Sequence, residues 1–137
     1  MLESTRSHAT GKTHVKVWDP RPYDKPADGP ALVQIHLEED FSGDIQGCGV
    51  AESLWAQLAE DAASMVGMAR VTGSIAGRSG TFLLQVQGTL QGATVSSTWF
   101  VVPGSGTGQL SGLRGEGGFT GQRGQRGSDI TLDCWFE

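Results

Sequence analysis

Short segments in which apolar and polar residues alternate, with glycine between them, constrain the fold of this chain most strongly. The clearest lie at residues 81–90, 93–103 and 128–136. In the last segment Ile130, Leu132 and Cys134 alternate with polar side chains. Alternation with a period of two is typical of half-buried strands. The pattern predicts an all-β domain, either a closed antiparallel barrel or a sandwich, and about eight strands would close a barrel around one small ligand.

The first half of the chain shows the same alternation less completely. Residues 13–18 and 31–43 alternate and are predicted strands, and the proline-rich stretch 19–30 between them is a predicted loop. Residues 51–63 are ambiguous, because their apolar residues have helical spacing but their neighbours favour a strand, a turn and a second strand. We expect residues 1–9 to form a flexible tail and residues 10–137 to form the barrel domain.

A glycine-rich run, "VVPGSGTGQLSGLRGEGGF" at residues 101–119, raises the question of phosphate binding. A dinucleotide fingerprint needs a third glycine at a fixed spacing, where this chain has Gln109 or Ser111, depending on the starting glycine. No Lys-Ser or Lys-Thr follows, so the run is not a P-loop. The glycines are predicted instead to thin a strand, allow bulges and bend the chain at a barrel corner.

Composition excludes several function classes. The net charge of −5 argues against a nucleic-acid partner. No apolar run is long enough for a membrane span, and the first residues lack the apolar core of a signal peptide, so we expect a cytoplasmic protein without a membrane partner. The chain has no CxxC, and Cys48 and Cys134 are predicted small core residues rather than a disulfide. His36 and Glu38 alone do not make a metal site, so neither a metal nor another cofactor is expected.

Four stretches carry a family resemblance: "VKVWDPRPYDKP", "FSGDIQG", "RVTGSIAGRSGTFLLQVQG" and "WFVVPGSGTGQLSGLRGEGGF". Together they resemble the bacterial domain of unknown function 3224, over nearly everything from about residue 9 to residue 137. That family is similar to the allene oxide cyclases, which implies an eight-stranded antiparallel barrel. The resemblance also implies that residues 50–58 are strand, with a turn at residues 59–62.

The segment from Trp99 to Gly115 is similar to a strand pair of the spirotetronate Diels–Alderases. This likeness implies an enzyme of natural-product biosynthesis, a cyclase or isomerase that needs no cofactor. Such an enzyme would bind one lipophilic small molecule in the barrel and steer its ring closure, largely by shape. A non-catalytic carrier of a lipophilic molecule and a structural barrel with a packed interior stay open as alternatives.

The predicted ligand pocket lies inside the barrel. Trp99 shares a strand face with Val95 and Val101, so it is predicted to point inward, as a core residue or as a ligand-stacking wall. Glu52 and Arg70 each lie between apolar neighbours, either as an ion pair between strands or as polar contacts to the ligand. A homodimer is an open possibility. The predicted lining consists of Trp99, Phe119, Met68 and Leu84, with Glu52 and Arg70 as its polar groups.

Overall fold

The computed structural model describes residues 6–137, which form one closed barrel of eight antiparallel strands. The strands are β1 (Ser7–Asp24), β2 (Ala31–Gly43), β3 (Ile45–Ala59), β4 (Ala62–Ile75), β5 (Arg78–Gln91), β6 (Thr94–Val101), β7 (Leu113–Gln122) and β8 (Gly127–Phe136). A single 3-10 turn lies at Gly108–Leu110. Within the described residues no helix is long and apolar enough to cross a membrane.

Each strand pairs with the next, and β8 pairs with β1 to close the sheet, which confirms the predicted barrel. The ambiguous segment 51–63 is strand, turn and strand, because β3 ends at Ala59 and β4 begins at Ala62. The helical alternative is wrong. Trp55 and Met65 are directly opposite each other across β3 and β4, and both are buried. The period-two pattern of the sheet, rather than the local helix propensity, therefore determines the structure of this segment.

Strand β1 is longer than the sequence predicts at both of its ends. Residues 1–5 of the predicted tail lie outside the described residues, but the strand begins at Ser7 and Ala9 is buried. At the other end the predicted loop shrinks to residues 25–30, because Pro20 and Pro22 pair in register with β2. Strand β8 pairs with β1 only as far as His14, so the prolines lie where one edge of β1 is unpaired and a missing N–H is tolerated.

Two aromatic rings establish which face of the sheet is internal. Phe41 on β2 and Trp99 on β6 belong to opposite sides of the eight-strand order, yet their ring centroids are 6.5 Å apart. They therefore meet inside the barrel, and residues that share their faces form what we call the inner wall. Alternate residues form the outer wall. The large buried side chains of the inner wall include Ile45, Trp55, Met65, Val71, Phe82, Leu84, Val101, Ile130 and Leu132.

The first part of the glycine-rich run is a loop that packs along β5. Strand β6 ends at Val101, and the following loop takes its place along β5, where the backbone N–H of Thr107 donates to the carbonyl of Thr81 at 2.8 Å. Leu110 in the same loop is fully buried. A Cβ at Gly80 would collide with the carbonyl oxygen of Thr107, so this close approach requires glycine. The first part of the run is thus a loop with a 3-10 turn between β6 and β7, where a bent strand was predicted.

The two cysteines differ from each other. Both are free thiols, and Cys134 is buried on the inner wall as predicted. Cys48 is exposed, so its prediction as a core residue is wrong. It lies on the outer wall of β3, directly opposite Asp40 and Thr72, because its neighbours Gly47 and Gly49 hold the inward positions.

Candidate functional site

The predicted pocket residues are divided between the two walls. Trp99 and Leu84 are buried on the inner wall, and Phe119 is half-buried there. The other three residues lie outside, since Met68 is 44% exposed and both Glu52 and Arg70 are exposed. Their predicted place on the inner wall is therefore wrong, but Glu52 and Met68 line one cavity of about 950 Å³ together with Trp99. That the three inner residues contact a ligand stays a prediction.

The error has a physical cause in β3. This strand carries Ala51 and Trp55 toward the inside but Val50 and Leu54 toward solvent, so both of its faces are apolar. Alternation groups residues onto a face, but it identifies the inner face only when the other face is polar. Glu52 does share a face with Val50 and Leu54, and that face is the outer one.

Trp99 is a structural anchor of the barrel interior. Its ring centroid is 5.3 Å from that of Phe119, in addition to its contact with Phe41. The indole N–H donates to the carbonyl oxygen of Thr131 on β8 at 2.9 Å. Trp99 reaches past β7 because Gly117, its partner on that strand, has no side chain. Its aromatic and hydrogen-bond contacts are therefore made within the fold.

A carboxyl group on the inner wall was missed by the sequence analysis. Glu39 lies on β2 between Leu37 and Phe41 and shares their face. Its burial raises its pKa from 4.5 to about 7. Within residues 6–137 no hydrogen bond or ion pair joins its side chain to another residue. The signal was present, since the alternation of Val33, Ile35 and Leu37 continues through Glu39.

A glycine on the neighbouring strand, opposite this carboxyl group, makes room for the Phe41 ring. Gly49 on β3 is directly opposite Glu39, and a Cβ there would lie 3.7 Å from Glu39 Cγ. The same Cβ would lie only 2.9 Å from Cε1 of Phe41, closer than such atoms approach. The position of the Phe41 ring therefore depends on a residue without a side chain at position 49, whereas the contact with Glu39 would be an ordinary one.

The carboxyl group is part of a site that we call the mouth, formed by Trp18, Leu37, Glu39 and Ala51. Trp18 and Ala51 are the cross-strand partners of Leu37 on β1 and β3, so all four share the inner face. Trp18 is 51% exposed, while the other three are half-buried. The Trp18 ring meets that of Trp55 edge to face, with centroids 5.9 Å apart. The mouth thus joins an apolar, aromatic surface to one acidic group.

A second titratable cluster lies on the outer wall, around His36. Its Nε2 is 2.8 Å from Glu38 and its Nδ1 is 2.7 Å from Glu52, which also accepts from Gln34. These hydrogen bonds raise the pKa of His36 and the bond with His36 lowers the pKa of Glu52. The interpretation of Glu52 as the ion-pair partner of Arg70 is wrong. In the part of the chain that the structure describes, no group of three or more acidic, histidine or cysteine residues could hold a metal ion.

Known proteins resemble the chain in sequence and in structure. The family model described as "Protein of unknown function (DUF3224)" matches residues 9–133. The chain belongs to this family. The crystal structure of a DUF3224 family protein of unknown function from Shewanella oneidensis MR-1 is similar to it, with 31% sequence identity over 98% of both chains and a TM-score of 0.80. No curated protein matches the chain. The likeness to allene oxide cyclases and Diels–Alderases stays a prediction.

Proposed function

We propose that this protein is a cofactor-independent cyclase or isomerase that binds a lipophilic small molecule at the mouth of the barrel. The observation that carries the proposal is Glu39, an inward carboxyl group that has no hydrogen-bond or ion-pair partner among residues 6–137 and lies beside aromatic and aliphatic side chains. The substrate class follows from the apolar surroundings of that group. Natural-product biosynthesis, where the resembling cyclases act, is the setting that we propose.

Glu39 supplies the acid–base chemistry. With a pKa of about 7, its protonated and ionised forms coexist at neutral pH, which suits a group that both removes and returns a proton. A proton taken from one carbon of the ligand and returned to another moves a double bond or starts a ring closure. The net proton change is zero, so the step needs no cofactor.

The apolar residues of the mouth supply binding and shape. Trp18 exposes half of its surface at the barrel end, and Leu37 and Ala51 continue the apolar wall toward Glu39. A flexible ligand held against this wall is restricted to few conformations, which lowers the entropic part of the barrier to ring closure. In this arrangement Trp99 supports the wall through Phe41 rather than contacting the ligand.

A structural barrel is the second candidate, and one observation favours it. Trp99 is 5% exposed and makes its aromatic and hydrogen-bond contacts with the protein. A barrel whose interior serves only as a core would look the same around this residue. The two candidates differ at the mouth, where a core function gives no reason for an acidic group.

Binding of all-trans-retinol, a neutral linear polyene, tests the first part of the proposal by tryptophan quenching. We expect saturable binding to the wild-type chain and much weaker binding to Trp18→Ala. Phe100→Ala is the matched control, because it removes an exposed aromatic ring from the outer wall. Absence of binding, or equal loss in both variants, would leave the structural barrel as the better account.

Proton transfer is tested separately with a lipophilic β,γ-unsaturated ketone in deuterium oxide. We expect the wild-type protein to exchange deuterium into the ketone and Glu39→Gln to lose this activity, by about 100-fold or more. Glu52→Gln keeps the activity, because its carboxylate lies on the outer wall. Retinol binding without any exchange would assign the protein to the carriers of lipophilic molecules.

A further inference from the structure

The outer wall of β3 and β4 exposes a group of large apolar side chains, which we call the β3–β4 face. Its members are Val50, Leu54, Leu58, Val66 and Met68, each between 44% and 58% exposed. Leu54 and Val66 are directly opposite each other across the two strands. Phe100 extends this surface on β6, beyond Gln85 of β5. An unusually large number of the side chains that point outward from these strands is therefore apolar for a surface exposed to water.

The size of this surface fits an interface between proteins. The five residues and Phe100 together expose roughly 500 Å² of surface, at the upper range of patches found on monomeric proteins. A standard interface buries about 800 Å² per partner. The polar margin of the β3–β4 face, Glu52, Arg70 and Gln85, is also exposed and adds to its area.

The charges on the β3–β4 face are arranged so that the face is complementary to a second copy of itself. Val50 is directly opposite Arg70, and Glu52 is directly opposite Met68, so the four side chains form a rectangle with Glu52 and Arg70 on one diagonal. A two-fold axis lying in the interface along the other diagonal, from Val50 to Met68, places Arg70 of each copy opposite Glu52 of the other. Within residues 6–137 no ion pair joins Arg70 to an acidic side chain, so it is available for this contact.

We propose that the protein forms a two-fold symmetric dimer through the β3–β4 face. Val50 and Met68 meet their own copies on the axis, and two Arg70–Glu52 ion pairs flank them. This arrangement is isologous, so the assembly is complete at two subunits and leaves no unpaired interface to which a third subunit could bind. The ion pairs also offset the repulsion between two chains that each carry a net charge of −5.

Sedimentation velocity over a wide concentration range tests the dimer. We expect a monomer–dimer equilibrium for the wild-type chain and monomer for Met68→Asp, whose exposed position lets the barrel fold normally. Each single charge reversal, Glu52→Arg or Arg70→Glu, should weaken the dimer about tenfold or more, because like charges then oppose each other. Lys25→Glu, in the loop at residues 25–30, is the matched control for the change of net charge in Arg70→Glu.

The double reversal, Glu52→Arg with Arg70→Glu, decides the geometry. It restores opposite charges across the two-fold axis, so its dimer should approach the wild-type affinity. Circular dichroism of each variant checks that the strand content is unchanged. A wild-type chain that stays monomeric, a dimer that survives Met68→Asp, or a double reversal no better than the single ones would each overturn the proposal.

Discussion

Two glutamates on neighbouring strands, Glu39 on β2 and Glu52 on β3, have opposite environments. Glu39 points into the barrel, where burial raises its pKa to about 7. Glu52 points outward, where its hydrogen bonds with His36 and Gln34 lower its pKa. The two faces of one sheet therefore set different protonation states for the same side chain. Position relative to the wall, rather than residue type, decides which carboxyl group is suited to acid–base chemistry at neutral pH.

The largest expected effect is a difference in stability between substitutions on the inner wall and on the outer wall. Trp99→Ala removes a buried ring with two aromatic neighbours and a hydrogen bond, and should lower the free energy of unfolding by about 3–5 kcal/mol. Phe100→Ala, one residue along and 41% exposed, should change it by about 0.5 kcal/mol or less. Urea denaturation of both variants measures the difference, and comparable losses would contradict the assignment of inner and outer walls.

The next effect concerns the cost of burying Glu39. The folded chain retains a proton on this group that the unfolded chain releases above the ordinary pKa of 4.5. The contribution of Glu39 to stability therefore falls as the pH rises from about 4.5 to about 7, by about 3 kcal/mol in all. Glu39→Gln removes the ionisation, so the stability of this variant relative to the wild type should increase by that amount over the same range.

Denaturation of both proteins at several pH values checks this expectation, because the contribution of other groups cancels in the difference. Glu52→Gln is the control for the change from acid to amide. A difference between wild type and Glu39→Gln that is the same at pH 4 and pH 8 would show that Glu39 titrates as it does in the unfolded chain.

A smaller effect is expected at Gly49, which makes room for the Phe41 ring beside Glu39. Gly49→Ala places a methyl group 2.9 Å from the Phe41 ring, so the ring must shift, at a cost of about 1–3 kcal/mol. The shift should also alter the environment of the Glu39 carboxyl group. Thermal denaturation measures the first effect, and a variant as stable as the wild type would mean that Phe41 has free space beside it.

The smallest effect belongs to the outer wall. The raised pKa of His36 means that its ion pairs stabilise the fold fully below the ordinary pKa of 6.5, and that this contribution is lost as the pH rises through the raised value. The lowered pKa of Glu52 means that its contribution is present above 4.5 and lost as the pH falls through the lowered value. Glu52→Gln should flatten this shallow pH dependence only slightly, because exposed pairs are screened by water. If Glu52→Gln changed the pH dependence of stability more than Glu39→Gln does, the inner and outer glutamates would have exchanged their expected roles.

The sequence was sufficient for the fold but only partly for the site. Strand β5 and the first part of β2 alternate between apolar and other residues, so inward residues such as Ile35 and Leu84 could be assigned from the period of two alone. Strand β3 is apolar on both faces, and there the inner face could be identified only from contacts such as that between Phe41 and Trp99. The long β1 strand was unpredictable at its prolines, because the tolerance for them depends on where β8 stops pairing.

Glu39 shows why polar residues of a site escape sequence analysis. An acidic residue at an inward position departs from the apolar character of that face, so it was not assigned to the interior although residues 31–43 are a predicted strand. Gly49 and the mouth residues come together only through the register of β1, β2 and β3. No local pattern contains that register. The same limit applies to the rectangle formed by Val50, Glu52, Met68 and Arg70.

The pKa of Glu39 in the folded protein tests the central claim most directly. Carbon-13 NMR of the side-chain carboxyl groups, with Glu39→Gln to assign the resonance, gives its titration midpoint without any ligand. The half-buried position on the inner wall predicts a midpoint of about 7 for Glu39, with Glu52 titrating below 4.5 in the same spectra. A midpoint near 4.5 for Glu39 would contradict the account, since the carboxyl group would then be solvated like any surface glutamate.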